Sequence, residues 1–245
     1  MSLNDSEFLR YSRQLLMEDV GESGQASFTN ASILIVGLGG LGCPVATYLT
    51  AAGVGSIDLC DPDTVDLSNL QRQVLYTTDD CGNLKVNCAK TRLEALNSEV
   101  EINVIPSAFD QSILPRQYSV VVDCTDDTKA RHLINRFCFA NAVPLVSGAA
   151  LGWEGQLIAF DFSQSRRLCF SCIVSENTPE PVINCANSGV LGPILGVVGS
   201  LQALTVLRIL MGQFEQHGVM QRYDGKRGQW LSFSSVAVDE CAVCG

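Results

Sequence analysis

Five short apolar runs punctuate the first part of the chain, at residues 33–36, 57–60, 102–105, 120–123 and 145–146. Most of their residues are apolar, with no regular alternation of apolar and polar positions, the pattern of strands buried on both faces. Between them, residues 41–53, 84–97 and 128–142 have helical spacing. The last of these sets Ala130, Leu133, Ile134, Phe137 and Cys138 at i, i+3, i+4, i+7 and i+8. Alternating strands and helices predict an α/β fold with a doubly wound, Rossmann-like, mainly parallel sheet.

Beyond Gly152 the pattern changes. Residues 156–162 and 229–233 alternate as antiparallel strands do, and Arg222-Tyr223-Asp224-Gly225 carries a turn signal. Residues 190–211 are apolar enough to raise a membrane span, but Pro193, Gln202 and Arg208 interrupt them, so a core or subunit-interface helix is expected. Near the start, Phe8, Tyr11, Leu15 and Leu16 share one helical face that should dock on the body, with Arg10 and Arg13 pointing away. The expected organisation is one domain: a helical arm over 1–30, a nucleotide-binding half over 31–150, and an antiparallel, zinc-bearing half with a crossover loop over 151–245.

Charge narrows the function classes. With 16 Lys and Arg against 26 Asp and Glu, the formal net charge is −10, the wrong sign for gripping nucleic acid or an anionic membrane. Any nucleotide must be held by local groups. The start of the chain has neither a basic segment nor an apolar core of a signal peptide, so a reducing cytoplasm is expected, where the eleven cysteines are not a disulfide framework. Only two histidines are present, which argues against a Ser-His-Asp triad.

The sharpest motif is Gly37-Leu38-Gly39-Gly40-Leu41-Gly42, placed between a predicted strand and a helix with Pro44 in its first turn. Glycines there let a phosphate approach the backbone, and the helix N-terminus offers free N–H groups to it. Asp61 ends the next strand, where an acidic side chain accepts a ribose hydroxyl. NAD, FAD and ATP can all use such a turn. Asn69 and Arg72 fall just past the carboxyl edge of the sheet, and Lys85 sits in the first turn of a helix, opposing its dipole unless an anion lies nearby. At the end of the 120–123 strand, Thr125 or Asp126 is a candidate helix cap. Asp126 is also suited to Mg²⁺, a hard cation that a triphosphate brings with it.

Two C-x-x-C pairs, Cys169/Cys172 and Cys241/Cys244, make a closed four-thiolate zinc site that would pin the C-terminal tail to the body. Cys185 differs, lying in a polar, proline-bearing stretch suited to covalent chemistry. Cys43, Cys60, Cys81, Cys88, Cys124 and Cys138 read as small core residues.

Taken together, Arg10-Tyr11-Ser12-Arg13-Gln14, the glycine turn, Asp61, Ser68-Asn69-Leu70-Gln71-Arg72-Gln73, Lys85, Cys124-Thr125-Asp126 and the paired C-x-x-C resemble, end to end, the ThiF/MoeB/HesA group of sulfur-carrier adenylyltransferases. The resemblance implies ATP-dependent adenylation of the C-terminal glycine carboxylate of a small ubiquitin-like sulfur carrier, with pyrophosphate released. It implies that Gly37, Gly39, Gly40, Gly42, Asp61, Ser68, Asn69, Leu70, Gln71, Arg72 and Lys85 form the ATP site, that Asp126 holds Mg²⁺, and that Cys185 can link covalently to the carrier. It also implies a homodimer in which Arg13 reaches the neighbouring subunit's ATP site, and a sulfurtransferase or cysteine desulfurase as a further partner. Asp127 departs from the family, which usually has Asn there, and the extra carboxylate is expected to bear on metal or adenine contacts. Asp224-Gly225-Lys226, Gln229-Trp230 and Asn184-Cys185 are most similar to the thiamine-synthesis branch with its ThiS-like carrier. The alternatives are a MoeB- or HesA-like enzyme serving a molybdopterin-synthase carrier and, from other classes, an NAD-dependent dehydrogenase or a non-catalytic nucleotide-binding module.

Overall fold

The computed structural model describes residues 3–110, 112, 117–163, 165, 168–176 and 189–245. Its centre is an eight-stranded sheet of order β3-β2-β1-β4-β5-β6-β7-β8. Strands β1 (Ser32–Val36), β2 (Ser56–Cys60), β3 (Glu101–Ile105), β4 (Val120–Asp123) and β5 (Leu145–Leu151) pair in parallel. β6 (Glu154–Phe160), β7 (Val219–Asp224) and β8 (Gln229–Ser234) continue the sheet antiparallel. The doubly wound sheet with an antiparallel C-terminal portion is therefore as the apolar pattern predicts. β5 runs to Leu151 and turns at Gly152 into β6, which begins two residues before the predicted alternation.

Both faces of the parallel strands are covered, as their mostly apolar, non-alternating runs predict. Ile33 and Ile35 of β1 pack in one core with α3 (Gly42–Ala51), α4 (Lys85–Leu96) and the long helix α7 (Gly192–Leu210). Leu34 and Val36, pointing the other way, pack with α5 (Thr128–Ala140) and the single turn α6 (Phe170–Ile173). α7 is apolar and long enough to cross a membrane, yet it sinks Ile194, Leu195, Val198, Gln202, Ala203 and Val206 into the core. The helix lies close on the sheet: a Cβ on Gly155 would stand 2.3 Å from Val198 Cγ2, so β6 passes there only as bare backbone.

The N-terminal arm comprises α1 (Asp5–Leu15) and α2 (Gly21–Thr29). Asn4 and Glu7 form a capping box that starts α1. The docking face is narrower than predicted: Tyr11 alone of α1 is buried, against Gly53, with its hydroxyl accepting from Asn97 Nδ2 at 2.9 Å. Phe8 and Leu16 are exposed. Arg10 does not point away, because it donates to the Leu96 carbonyl at 3.0 Å and so closes the end of α4. Arg13 is exposed, as expected.

Candidate functional site

The strand order reverses between β1 and β4, and such a switch point opens a ligand crevice at the carboxyl ends of the strands. Register brings those ends level: Val36 pairs with Cys60 and with Asp123, and Asp123 with Ser147. The glycine turn, Asp61 and the Cys124-Thr125-Asp126 segment all leave the sheet at this edge.

Within the turn, the glycines have different jobs. Gly37 has φ +91°, and a Cβ there would meet the Cys124 carbonyl at 2.8 Å; on Gly42 it would lie 2.0 Å from the Gly37 oxygen. These two are fixed by the chain's own packing. Gly39 is not, since the nearest atom to a Cβ there is Gln73 Nε2 at 3.7 Å. Gly37 N–H donates to the Cys60 carbonyl at 2.8 Å, Leu38 N–H to Asp61 Oδ2 at 2.6 Å, and Tyr76 Oη to the Leu38 carbonyl at 3.0 Å. Among the described residues, the N–H groups of Gly39 and Gly40 find no acceptor. Two free donors at the mouth of a helix with no side-chain cap make an anion site.

Asp61 is 5% exposed, and burial raises its pKa against the opposing pull of the Leu38 N–H and the Lys85 charge. Sequence assigns it to a ribose hydroxyl. In the structure both oxygens already accept backbone N–H groups, from Leu38 and from Asp63 at 2.8 Å, so Asp61 also ties the glycine turn down, with lone pairs to spare.

Lys85 opens α4 with its side chain 6% exposed, and its Nζ pairs with Asp63 Oδ2 at 2.9 Å. Asp63 supplies the anion that the sequence requires near this cation. It was not among the predicted residues, although its place two residues after Asp61 on the same loop is the signal that could have found it. Arg72 Nη1 donates to the Ser68 carbonyl at 3.0 Å, while Asp66 caps the one-turn helix Leu67–Asn69 through the Ser68 N–H at 2.8 Å. Asn69 Nδ2 reaches Ser68 Oγ at 3.4 Å. Leu70 packs on the core and Gln71 is exposed, its carbonyl lying 2.8 Å from where a Gly192 Cβ would be. The start of α7 thus rests on the Gln71-Arg72 backbone, and Leu195 on Gly40.

At the end of β4, buried Asp123 accepts from Thr125 N and Oγ1 at 3.0 and 2.7 Å and from Ser147 Oγ at 2.6 Å. Arg131 donates to the Thr125 and Gly148 carbonyls at 2.6 and 2.8 Å from one side, and Gln202 of α7 to the Asp123 carbonyl at 2.9 Å from the other. This clamp fixes the loop from which exposed Asp126 projects. The cap of α5 is neither Thr125 nor Asp126, as sequence suggested, but Asp127, which accepts from Lys129 and Ala130 N–H at 3.1 and 3.0 Å. Thr125 is spent on Asp123, which leaves Asp126 uncommitted to the helix.

The four cysteines of the C-x-x-C pairs converge, with all Sγ atoms within 4.8 Å of one another. Cys169 and Cys241 are 3.7 Å apart and Cys172 and Cys244 3.4 Å, close to the roughly 3.8 Å edge of a tetrahedron with 2.3 Å Zn–S bonds. The donor set and spacing fit a closed zinc. Burial pushes the Cys241 thiol up, but the N–H groups of Cys244 and Val243 and neighbouring thiols outweigh it and lower its pKa to about 7, while burial and the neighbouring thiols push Cys169 and Cys244 up, so it is the donor set and the spacing that carry the metal assignment. Cys43, Cys60, Cys124 and Cys138 are buried as predicted, whereas Cys81 is exposed and Cys88 half-buried, because their segment lies at the surface. Cys185 lies outside the described residues.

A switch-point glycine turn with free N–H donors, a buried acid beneath it, two cations alongside and a separate cluster of four cysteines that fits a zinc ion define a Rossmann-like nucleotide-binding protein. The chain belongs to the ThiF family, whose profile matches residues 11–243. It is 40% identical over 246 residues to the sulfur carrier protein ThiS adenylyltransferase of Escherichia coli strain K12, covering 99% of this chain and 97% of that one. To the molybdopterin-synthase adenylyltransferase of the same organism it is 39% identical over 247 residues, covering 99% and 98%. The adenylyltransferase and sulfurtransferase MOCS3 of Dictyostelium discoideum is 41% identical over 254 residues, and there the chain spans only 59% of the relative's length. Among solved structures, E. coli MccB with ATP superposes with a TM-score of 0.83 at 23% identity, covering 99% of this chain and 75% of that one, a likeness of fold.

Proposed function

We propose that this protein is a sulfur-carrier adenylyltransferase: it uses ATP to adenylate the C-terminal glycine carboxylate of a small ubiquitin-like carrier, releasing pyrophosphate, and its carrier is the ThiS-like protein of thiamine synthesis. One observation carries the reading. The free Gly39 and Gly40 donors, Lys85 and Arg72 gather at the switch point of a chain that matches two adenylyltransferases over nearly their whole lengths.

The chemistry suits these residues. A carboxylate is ionised at neutral pH, so its attack on the α-phosphorus needs no general base, and catalysis consists of alignment and charge neutralisation. Gly39 and Gly40 N–H groups cradle the phosphates, Asp61 accepts a ribose hydroxyl, and Arg72 and Lys85 stabilise the departing pyrophosphate. Lys85 exchanges its Asp63 partner for phosphate. Asp126 would hold Mg²⁺, which when bound offsets further phosphate charge. The Cys185 thiolate attacks the acyl carbonyl of the carrier adenylate, forming a thioester as the acyl–phosphate bond breaks and AMP leaves. The exposed α1 surface with Phe8, Leu16 and Arg13 fits a two-fold homodimer in which Arg13 completes the partner's site. A sulfurtransferase or cysteine desulfurase then supplies sulfur in the cytoplasm.

The 39% identity to the molybdopterin-synthase adenylyltransferase favours a second reading in which only the carrier differs. ATP–pyrophosphate exchange with each carrier separates the two. Exchange that depends on the ThiS-like carrier supports the first, and exchange with the molybdopterin-synthase carrier alone supports the second. ATP binding with no exchange under either leaves a nucleotide-binding module, and binding of NAD in place of ATP a dehydrogenase.

A further inference from the structure

We infer that Gln73 is a further nucleotide-binding residue, its carboxamide donating from Nε2 to a phosphoryl oxygen of the triphosphate beside Gly39. The inference rests on the reading of this edge as an ATP site. Gln73 is 4% exposed, and its backbone is used up in holding it there: its N–H donates to the Asn69 carbonyl at 3.0 Å and its carbonyl accepts from Tyr76 N–H at 3.1 Å. Its side chain has no such commitments. Oε1 is sealed from solvent without a hydrogen-bond partner, and among the described residues no hydrogen bond within the chain engages Nε2 either.

A buried carboxamide left so is costly, and a leucine of similar volume would fill the space without the penalty. The amide is explained by what Nε2 faces. It stands 3.7 Å from the Cβ position of Gly39, the one glycine of the turn that the chain's own packing leaves open, beside two free N–H groups. Phosphoryl oxygens only accept, so the N–H₂ end is the end that serves them. Arg72 and Lys85 also face this edge, but each is already held by a protein acceptor, Ser68 or Asp63. Gln73 adds a donor without adding charge, so its contribution, unlike theirs, resists salt.

The test is calorimetric titration of wild type, Gln73→Leu and Gln73→Asn with ATP, ADP and adenosine at two salt concentrations, with thermal melting of the nucleotide-free proteins. Loss of a hydrogen bond to a charged group predicts roughly 10–100-fold weaker ATP and ADP binding by Gln73→Leu. Adenosine affinity should stay the same, the wild-type-to-variant ratio should not change with salt, and melting should be unchanged or higher because an unsatisfied acceptor has gone. Gln73→Asn, which withdraws the donor by one methylene, should weaken ATP in the same sense. Unaltered ATP affinity in both variants, an equal loss for adenosine, or a lowered melting temperature with ATP binding intact overturns the inference. Wild type that binds no ATP refutes the reading of the site itself.

Discussion

Replacing Gly42 and Gly39 singly with alanine should separate the glycine that builds the turn from the one that serves the ligand. At Gly42 the new methyl carbon would lie 2.0 Å from the Gly37 oxygen and 2.9 Å from its carbon, both backbone atoms that no rotamer can move. A normal C···O contact is about 3.3 Å, so the turn or the start of α3 must shift by more than about 1 Å. Overpacking of this kind costs about 1–3 kcal/mol, which for a chain of this size lowers Tm by roughly 2–12 °C. A shift of about 1 Å in the phosphate cradle should cut the ATP–pyrophosphate exchange rate on the order of 10²-fold. At Gly39 the methyl meets nothing nearer than Gln73 Nε2 at 3.7 Å, an ordinary contact. Its Tm should stay within about 2 °C of wild type, while calorimetric ATP affinity falls because the methyl occupies the phosphate's approach. A Gly42→Ala protein with native melting and native exchange, or a Gly39→Ala protein that melts early but binds ATP normally, would refute this division of labour.

Metal analysis should find about one zinc per chain, lost in Cys241→Ser together with several degrees of Tm; a zinc-free protein of full stability would remove the staple. Lys85→Ala and Arg72→Ala should each lower exchange about 10²-fold or more, read as kcat/KM. Mixing inactive Arg13→Ala and Lys85→Ala subunits should restore up to about half the activity in each mixed dimer, since one site then collects both defects. No recovery after verified subunit exchange would place Arg13 outside the partner's site. Burial lowers the pKa of His217 below its ordinary 6.5, and its Nδ1 must stay unprotonated to accept Asp161 N–H. The unfolded chain therefore takes up the proton first, so its stabilising effect is complete above pH 6.5 and is lost as pH falls below that value. Urea stability should drop from pH 7 to pH 5 in wild type and drop less in His217→Asn; parallel curves would exclude this residue as the cause.

The parallel half of the fold is legible because burial on both faces writes mostly apolar runs without alternation, and the glycine turn because a strand, a turn and a proline-marked helix start stand in order. Residues 41–53 and α7 are recognisable for the same reason. Other features depend on contacts that sequence does not encode locally. Thr125, Asp126 and Asp127 are all competent caps, and the choice is settled only in the folded loop, where Thr125 donates to Asp123 and Asp127 accepts from the Lys129 and Ala130 N–H groups. Spacing on α1 marks an apolar stripe but not the width of its contact with the body, so it cannot show that Tyr11 alone is buried. Asp63, an exposed acid in an acidic chain, carries only the weak signal of its place after Asp61, and its role shows once Lys85 is seen beside it across an isolated bridge between Thr64 and Leu84. Gln73 is hidden likewise, since nothing in a glutamine's neighbours along the chain reports its burial.

The far edge of the sheet sets the protein's solution behaviour. Among the described residues β8 ends the strand order, carries exposed Trp230, Leu231 and Phe233, and has no charged residue between Gln229 and Ser234. An open edge of this kind is a template for pairing with another strand, and charged side chains on the edge are the usual deterrent. Here the deterrent is global: a formal charge of −10 makes copies of the chain repel one another at long range. Salt weakens that repulsion, its reach shrinking from about 30 Å at 0.01 M to about 8 Å at 0.15 M, but leaves strand pairing and apolar contact untouched. Beyond the proposed homodimer, the concentrated protein should therefore resist further association at low ionic strength and self-associate as salt is added, the opposite of an assembly held by charge.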